Sequence, residues 1–297
     1  MKKQATTIDE QIELLRKRGM IIKDSEKAKE VLLDIGYFRL GFYCFPFECS
    51  YPQKRNRTHE YKPQTLLSDV VKLYYFDYNL RSVLAKYINR IEINFRTFLT
   101  YQVSNKHSYD PVWFVSSVVV TGSYANKFNN KVYDDKFKLN PIIKRHHIFH
   151  PNDVYAPAWK TIEFMTFGAV YNLYRALVDV SLKREIAMHF GIKSVKTFEN
   201  YMETIRVIRN TCAHGGVLFD ISLAKAIKDG PAGVLNEKSR QNLDGAIKVI
   251  RYMVDKVSMN RANDMNDEIC KLFDENTNSC IVTSDILKKI TCISCKK

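Results

Sequence analysis

The feature of this sequence that most constrains its fold is a long run of apolar residues spaced like one face of an α-helix. The run extends over roughly five helical turns. Its members are Leu80, Val83, Leu84, Tyr87, Ile88, Ile91, Phe95, Phe98 and Leu99. A β-strand would place apolar residues at every second position instead. The spacing therefore predicts one long helix that buries a single face.

The rest of the sequence also favours helices. Only 11 glycines and 8 prolines occur in 297 residues, which suits long helices better than the turns of a sandwich or barrel. Residues 37–47 fit either a helix or an extended segment, and the polar residues 48–63 fit a loop. Helical spacing recurs over 9–18, 25–35, 159–177, 180–190, 195–214 and 237–257. We predict an all-α, mainly helical fold.

We predict three regions in the chain. Residues 1–62 form an N-terminal helical region, 63–258 a helical domain, and 259–297 a C-terminal tail that adds little to the core. Within the domain, residues 122–157 interrupt the helical spacing and form a long irregular insertion. Insertions of this length are usually functional or disordered.

The charge of the chain favours a polyanionic partner. The formal net charge is +14 and the isoelectric point is near 9.3. Nucleic acid is the first candidate and an anionic membrane surface the alternative. The sequence has no apolar run of roughly 18 residues and no signal-peptide core, so we expect no membrane association.

The seven cysteines are odd in number and form no disulfide framework, which favours the reducing cytoplasm. Cys292 and Cys295 form one C-x-x-C pair, but a zinc ribbon needs a second pair. We expect no metal site and no cofactor.

The insertion combines basic and aromatic residues. Cations follow phosphates and aromatic rings stack on bases, so this composition suits single-stranded RNA. The alternative is a basic surface loop whose aromatic residues anchor it to the core. A zinc site built from the histidines lacks a cysteine or carboxylate to complete it. The RNA-binding candidates are Lys131, Lys138, Lys144, Arg145, His146 and His147.

A second candidate site lies at the end of the predicted helix 195–214. Helical spacing places Arg206, Arg209, Asn210 and His214 on one continuous stripe. Gly215-Gly216 then predicts a left-handed helix end, where the negative end of the helix dipole favours a protonated imidazole. The stripe therefore gathers two guanidinium groups, an amide and an imidazole.

These groups suit cleavage of RNA by its own 2′-hydroxyl. His214 would act as general acid or base, and Arg209 would stabilise charge on the phosphate oxygens. Asn210 would orient backbone or phosphate, and Arg206 would add phosphate affinity. Glu92 and Arg96 form a polar stripe on the earlier long helix, which is either solvated or supports the site.

A simpler interpretation of the same residues is structural. An arginine at a helix end often pairs with a carboxylate, and a histidine there often caps carbonyl groups. The bare spacing of an arginine and a histidine is common in proteins and does not decide between the two.

Arg209-Asn210-x-x-Ala213-His214 at the end of an amphipathic helix resembles the signature of the HEPN superfamily of α-helical ribonucleases and RNA-binding domains. Further segments resemble the Abi-like abortive-infection proteins and occur in that family's order, from about residue 8 to about 220. They are Glu10-Gln11-Ile12 with Leu15, Arg18-Gly19, residues 35–40, Phe76-Asp77 with Leu80-Arg81, Ile91-Glu92 with Arg96-Thr97, Pro157, Trp159-Lys160, Ile162-Glu163 and Phe167-Gly168.

The resemblance implies a HEPN-type helical bundle and phage defence through RNA cleavage at Arg209 and His214, with Asn210 beside them. Sites of this kind are usually composite, which implies a homodimer. Some relatives associate with a dedicated small non-coding RNA. Gly215-Gly216 departs from the commoner family pattern, in which another polar or aromatic residue follows the histidine.

We therefore expect a cytoplasmic, homodimeric protein that binds RNA and cleaves it without a metal ion. Two alternatives remain at this stage. One is a non-catalytic RNA-binding protein in complex with a small non-coding RNA, and the other is a protein-binding regulator.

Overall fold

The computed structural model describes residues 4–235, 237, 239–276 and 281–288. This part of the chain contains fifteen α-helices, three short 3₁₀ segments and no β-strand, which confirms the predicted all-α class. The helices are α1 Ile8–Lys17, α2 Ser25–Asp34, α3 Tyr37–Cys44, α4 Leu67–Lys106, α5 Gly122–Ala125, α6 Phe128–Lys131, α7 Asp135–Lys138, α8 Pro141–Phe149, α9 Ala158–Phe164, α10 Phe167–Ala176, α11 Val180–His189, α12 Val195–Ala213, α13 Leu243–Val257, α14 Met259–Asn276 and α15 Ile281–Leu287.

Helix α4 is the predicted long helix and runs for 40 residues. Most of its periodic apolar residues are buried, as the spacing predicted: Leu80, Leu84, Ile88, Ile91 and Phe95 have no exposed surface, whereas Val83 and Phe98 are half-buried. Burial of a whole apolar stripe, rather than helix propensity alone, stabilises a helix of this length.

The chain divides into two compact units. Unit 1 comprises residues 1–84, 211–221 and 266–297, and unit 2 comprises 85–210 and 222–265. The division predicted from sequence, with boundaries after 62 and 258, stays a prediction.

In unit 1, the first two helices begin at side-chain caps. Thr7 and Glu10 form a capping box at the start of α1. Asp24 accepts a hydrogen bond from the Lys27 amide at the start of α2. The aromatic residues 37–47 continue as α3 and a 3₁₀ turn, so the helical alternative for this segment holds.

In unit 2, an aromatic cluster joins α4, α10 and α12. The ring of Phe95 lies 5.8 Å from that of Tyr174 and 6.0 Å from that of Phe198. Tyr174 and Phe198 make an edge contact at 5.2 Å. Edge-to-face geometry at these distances is favourable for aromatic pairs.

The single helix predicted over 159–177 is wrong, because the structure has two helices there. Helix α9 ends at Phe164, Met165 is extended, and the Thr166 hydroxyl accepts from the Ala169 amide to start α10. Apolar spacing passes through the break, so periodicity alone does not reveal it. The break leaves the Met165 carbonyl without a helical donor, and Arg96 binds this oxygen at 3.0 Å.

The last helix of the predicted set begins later than expected. The sequence suggested a start at residue 237, whereas α13 starts at Leu243 after Asn242, whose side chain accepts from the Gly245 amide. An asparagine cap satisfies an amide that would otherwise have no partner, which fixes the start.

The region predicted as an irregular insertion contains the four short helices α5 to α8, of four to nine residues each. Each is too short to show a 3.6-residue pattern in the sequence. Phe128 and Tyr133 are 1% exposed and pack against Phe114 and Tyr155. These rings anchor the insertion to the unit 2 core.

The tail was expected to add little to the core, and that expectation is wrong for α14. Met265, Ile269 and Phe273 are buried, and the Phe273 ring lies 5.8 Å from that of Phe76 in unit 1. Their spacing of four residues forms a narrow stripe among polar neighbours.

Cys292 and Cys295 lie outside the described residues. Within the described part, no helix is both long and apolar enough to cross a membrane.

Candidate functional site

The helix that carries the motif ends as the two glycines predicted. The last helical residue of α12 is Ala213, one before the predicted end, and His214 follows it. The Gly216 amide donates to the Thr211 carbonyl at 2.8 Å, and the Gly215 amide donates to the Cys212 carbonyl at 3.3 Å. Gly215 has φ of +66°, so the end is a Schellman motif with glycine in the left-handed position.

His214 is exposed at this helix end. Its imidazole makes no hydrogen bond or ion pair with any residue that the structure describes. The carbonyls of the last turn are bound by glycine amides, so His214 does not cap them. The part of the simpler interpretation in which His214 caps carbonyl groups is thereby excluded.

Arg209 is held by a carboxylate in unit 2. Its Nε lies 3.5 Å from Oε2 of Glu92, and Arg96 donates from Nη2 to Oε1 of the same carboxylate at 3.2 Å. The Glu92 side chain is 12% exposed, whereas 35% of the Arg209 side chain is exposed. We call Glu92, Arg96 and Arg209 the arginine–glutamate triad.

The two guanidinium groups of the triad compensate the charge of the nearly buried Glu92 carboxylate. A nearly buried carboxylate is costly unless cations and hydrogen bonds compensate its charge. Glu92 meets that need with two guanidinium groups, and Arg96 is fixed in turn by the Met165 carbonyl at 3.0 Å. Arg209 is thus oriented through its Nε, while its exposed part stays available for an anion. The sequence named Glu92 and Arg96 as supporting residues, and the structure places both at Arg209.

Arg206 pairs with a different carboxylate. Its Nε and Nη2 donate to the two oxygens of Glu203 at 2.9 and 2.6 Å. The Arg206 hydrogen bond, followed by its charge, lowers the pKa of the Glu203 carboxyl. Asn210 is half-buried on α12, next to Arg209.

Unit 1 contains a polar network that was not predicted from the sequence, although its members Asp77, Arg81 and Arg39 lie in segments that resemble the Abi-like family. Asp77 is fully buried and accepts from the amides of Leu218 and Phe219, both at 3.0 Å. It also accepts from the Tyr43 hydroxyl at 2.9 Å and from Arg81 at 2.7 Å. A charged residue so deeply buried is expected only where all its lone pairs are used.

Two arginines extend this network to the turn after His214. Arg81 donates to the Gly216 carbonyl at 3.0 Å, and Arg39 donates to the Gly215 carbonyl at 2.7 Å. We call Asp77, Arg81 and Arg39 the post-motif clamp. The sequence signal for it is a charged pair at i, i+4 that falls among the buried leucines of α4, where solvated charges are not expected.

The RNA-binding candidates of the insertion differ in their exposure. Lys131, Lys138, Lys144 and Arg145 are exposed. Their RNA-binding role stays a prediction.

The two adjacent histidines are engaged within the protein. His146 is 5% exposed and lies 3.1 Å from Asp153 through Nε2, and His147 contacts the Tyr133 hydroxyl at 2.9 Å. Burial, followed by the charge of Lys160, lowers the pKa of His146. In the described part of the chain, no cluster of histidine, cysteine, aspartate or glutamate fits a metal ion.

Comparison with known proteins identifies the family. No curated protein and no solved structure matches the chain significantly. The family model of the Abi-like proteins matches residues 30–220, which is more than half of the chain and includes the post-motif clamp, the arginine–glutamate triad and His214. The chain therefore belongs to the Abi-like protein family.

Proposed function

We propose that this protein binds RNA and cleaves it by a metal-independent, HEPN-type mechanism at Arg209 and His214. Membership of the Abi-like family indicates a role in abortive infection, a form of phage defence. The observation that carries the proposal is the exposed, unpaired imidazole of His214 at the end of the helix that also presents Arg209.

The chemistry follows from what an imidazole and a guanidinium can do to a phosphodiester. His214 removes the proton of a ribose 2′-hydroxyl, and the 2′-oxygen forms a bond to the adjacent phosphorus. Arg209 stabilises the added negative charge on the phosphate oxygens. The bond from phosphorus to the 5′-oxygen breaks, and that oxygen takes up a proton. The products are a 2′,3′-cyclic phosphate and a 5′-hydroxyl.

One imidazole cannot be both base and acid in the same step. A homodimer solves this, because the second copy supplies a protonated His214 for the leaving oxygen. This is why we propose a composite site made by two copies. Asn210 would orient the phosphate, and the arginine–glutamate triad would hold Arg209 ready for it.

Cleavage of a single-stranded RNA by the purified protein tests the proposal. We expect His214→Ala to abolish cleavage. The control His107→Ala should leave it unchanged, because His107 directly follows α4 and belongs to neither candidate site. Equal cleavage by wild type and His214→Ala would refute the catalytic role. Stable binding of an intact, unique RNA without cleavage would instead favour a non-catalytic complex with a small non-coding RNA.

A further inference from the structure

Unit 2 contains a groove that runs along helix α10. Three neighbouring cavities of about 490, 800 and 530 Å³ share lining residues. Gly168, Asn172 and Arg175 line both the first and the second, and Lys131 and Thr166 are among those that line both the second and the third. The cavities are therefore one continuous depression, which we call the α10 groove.

The walls of the groove are strongly basic. The half next to the short helices contains Lys127, Lys131 and Lys136. The half next to α12 contains Arg175, Lys196, Arg206, Lys225 and Lys228.

The acidic residues of the groove are fewer and partly engaged. Among them, Glu203 pairs with Arg206, and Asp134 caps α7 by accepting from the Phe137 amide. The groove therefore keeps a positive excess, and a concave surface lined by one sign of charge concentrates ions of the opposite sign.

The floor and the ends of the groove suit an unpaired strand. Gly168 and Ala169 make a low floor, which lets a backbone approach closely. Phe137 and Phe164 line the third cavity, and Phe164 is 37% exposed, so a ring surface is available for a base. A basic groove with aromatic residues is the usual combination for binding single strands.

One polar group in the groove wall lacks a partner. The hydroxyl of Tyr124, which lines the middle cavity, is buried and makes no hydrogen bond within the described part of the chain. Burial raises its pKa, so the hydroxyl keeps its proton and can donate. A buried donor without an acceptor is costly, so an acceptor that reaches this hydroxyl would be bound favourably.

The groove also leads towards the proposed site. Arg206, in its α12 wall, lies three residues before Arg209 on the same helix, which is about one turn. We propose that the α10 groove binds a single RNA strand and leads its backbone to Arg209. This rests on the proposed function for the identity of the polymer as RNA.

Gly168 offers a direct test, because it lines two of the three cavities. It is the second residue of α10, its backbone is ordinary helix, and the nearest atom to an added Cβ is Arg206 Cδ at 3.9 Å. A side chain is therefore tolerated there, and an acidic one near a helix start also suits the helix dipole. Gly168→Glu places bulk and negative charge in the groove. Gly41→Glu is the matched control, because Gly41 is a helical glycine outside the groove with nothing within 4 Å of an added Cβ.

The measurement is the fluorescence anisotropy of a labelled single-stranded RNA with the full chain, in a His214→Ala background that prevents cleavage. We expect Gly168→Glu to raise the Kd by about tenfold or more, and Gly41→Glu to change it less than about twofold. Circular dichroism melts check that both variants are folded. Unchanged affinity in a folded Gly168→Glu variant overturns the proposal, as does equal affinity for double-stranded RNA of the same length.

Two double variants with charge reversals distinguish an effect of the groove from an effect of the protein's net charge. Arg175→Glu with Lys228→Glu alters the groove, and Lys17→Glu with Lys271→Glu makes the same charge change at exposed lysines outside it. Only the first pair should weaken binding strongly and flatten its salt dependence. Equal loss in both pairs overturns the proposal.

The experiments distinguish failure of the α10 groove proposal from failure of the catalytic proposal. If His214→Ala abolishes cleavage while the groove variants bind as wild type does, the groove is wrong and the catalytic site stands. If the groove variants lose binding while the wild type never cleaves, the groove stands and the catalytic site is wrong.

Discussion

Arg209 and Glu92 lie 3.5 Å apart, which joins the motif helix α12 to the long helix α4 within unit 2. The same carboxylate binds Arg96 at 3.2 Å, so one acidic group holds two guanidinium groups. Arg209 is the only member of the triad with a substantially exposed side chain. Glu92 therefore orients the Arg209 guanidinium group through Nε and leaves its exposed part available for an anion.

Replacing Glu92 tests this arrangement. We expect Glu92→Gln to lower the cleavage rate by about tenfold with little change in RNA affinity, because Arg209 loses orientation but keeps its charge. Single-turnover rates at saturating protein, measured beside RNA affinity, separate the two effects. A loss of affinity with an unchanged rate would show that Glu92 serves binding alone.

The post-motif clamp makes a prediction about stability. We expect Asp77→Ala to lower the free energy of unfolding by about 3 kcal/mol or more, because it leaves Arg81 and two amides without their acceptor. Urea unfolding measures this loss. Asp135→Ala, an exposed aspartate, is the control and should leave stability unchanged. Similar stability of the two variants would mean that the clamp is not a structural element.

Gly215 is predicted to resist substitution for a backbone reason. Its φ is +66°, and an added Cβ would lie 3.0 Å from Nη1 of Arg39. We expect Gly215→Ala to destabilise the protein by about 1 kcal/mol or more. Gly41→Ala is the matched control, since Gly41 is helical with nothing within 4 Å of the added Cβ, and it should be neutral or stabilising. Thermal melts of both variants decide the comparison.

The thiols should differ in reactivity. Burial raises the pKa of Cys212 and of Cys44 to about 12 each, so both are protonated at neutral pH. Cys49 is exposed. We expect iodoacetamide to modify Cys49 in the folded protein and to spare the other two, as read by mass spectrometry of the peptides. Fast modification of Cys212, which is half-buried, would contradict the raised pKa of its thiol.

His189 makes a prediction about pH. Its ring stacks on Phe98 at 3.8 Å, binds Asn94 at 2.8 Å, and burial lowers its pKa. Between its lowered pKa and the ordinary value near 6.5, the unfolded chain binds more protons than the folded one. Stability is therefore fully present above about pH 6.5 and falls as the pH drops below it.

The control for this pH dependence is His189→Gln, which keeps a polar side chain but does not titrate. We expect the difference in unfolding free energy between wild type and variant to shrink as the pH falls from 7.5 to 5.5, which are assay conditions of about one unit on either side of the ordinary pKa. A constant difference would show that His189 titrates normally in the folded state.

Several parts of this structure follow from local sequence patterns. The stripe from Leu80 to Leu99 specified α4 because each buried residue lies one or two turns from the next. Gly215-Gly216 specified the end of α12, because few other residues adopt the left-handed position. Glu92 and Arg96 could be named as supporting residues, since they share one face of α4.

Other parts depend on contacts that no local pattern contains. Asp77 binds amides 141 and 142 residues later in the chain, so its role in the clamp is visible only in three dimensions. The break between α9 and α10 lies within continuous apolar spacing, and its cause is a single threonine cap. Helix α14 was missed because its buried residues are sparse among polar ones.

The chemistry of RNA ends tests the central claim most directly. RNA that co-purifies with the protein, or is incubated with it, is sequenced and its ends are typed. We predict fragments with a 2′,3′-cyclic phosphate and a 5′-hydroxyl from the wild type, and none from His214→Ala. Fragments with 5′-phosphate and 3′-hydroxyl ends, or the same cyclic ends from both proteins, would contradict cleavage by His214.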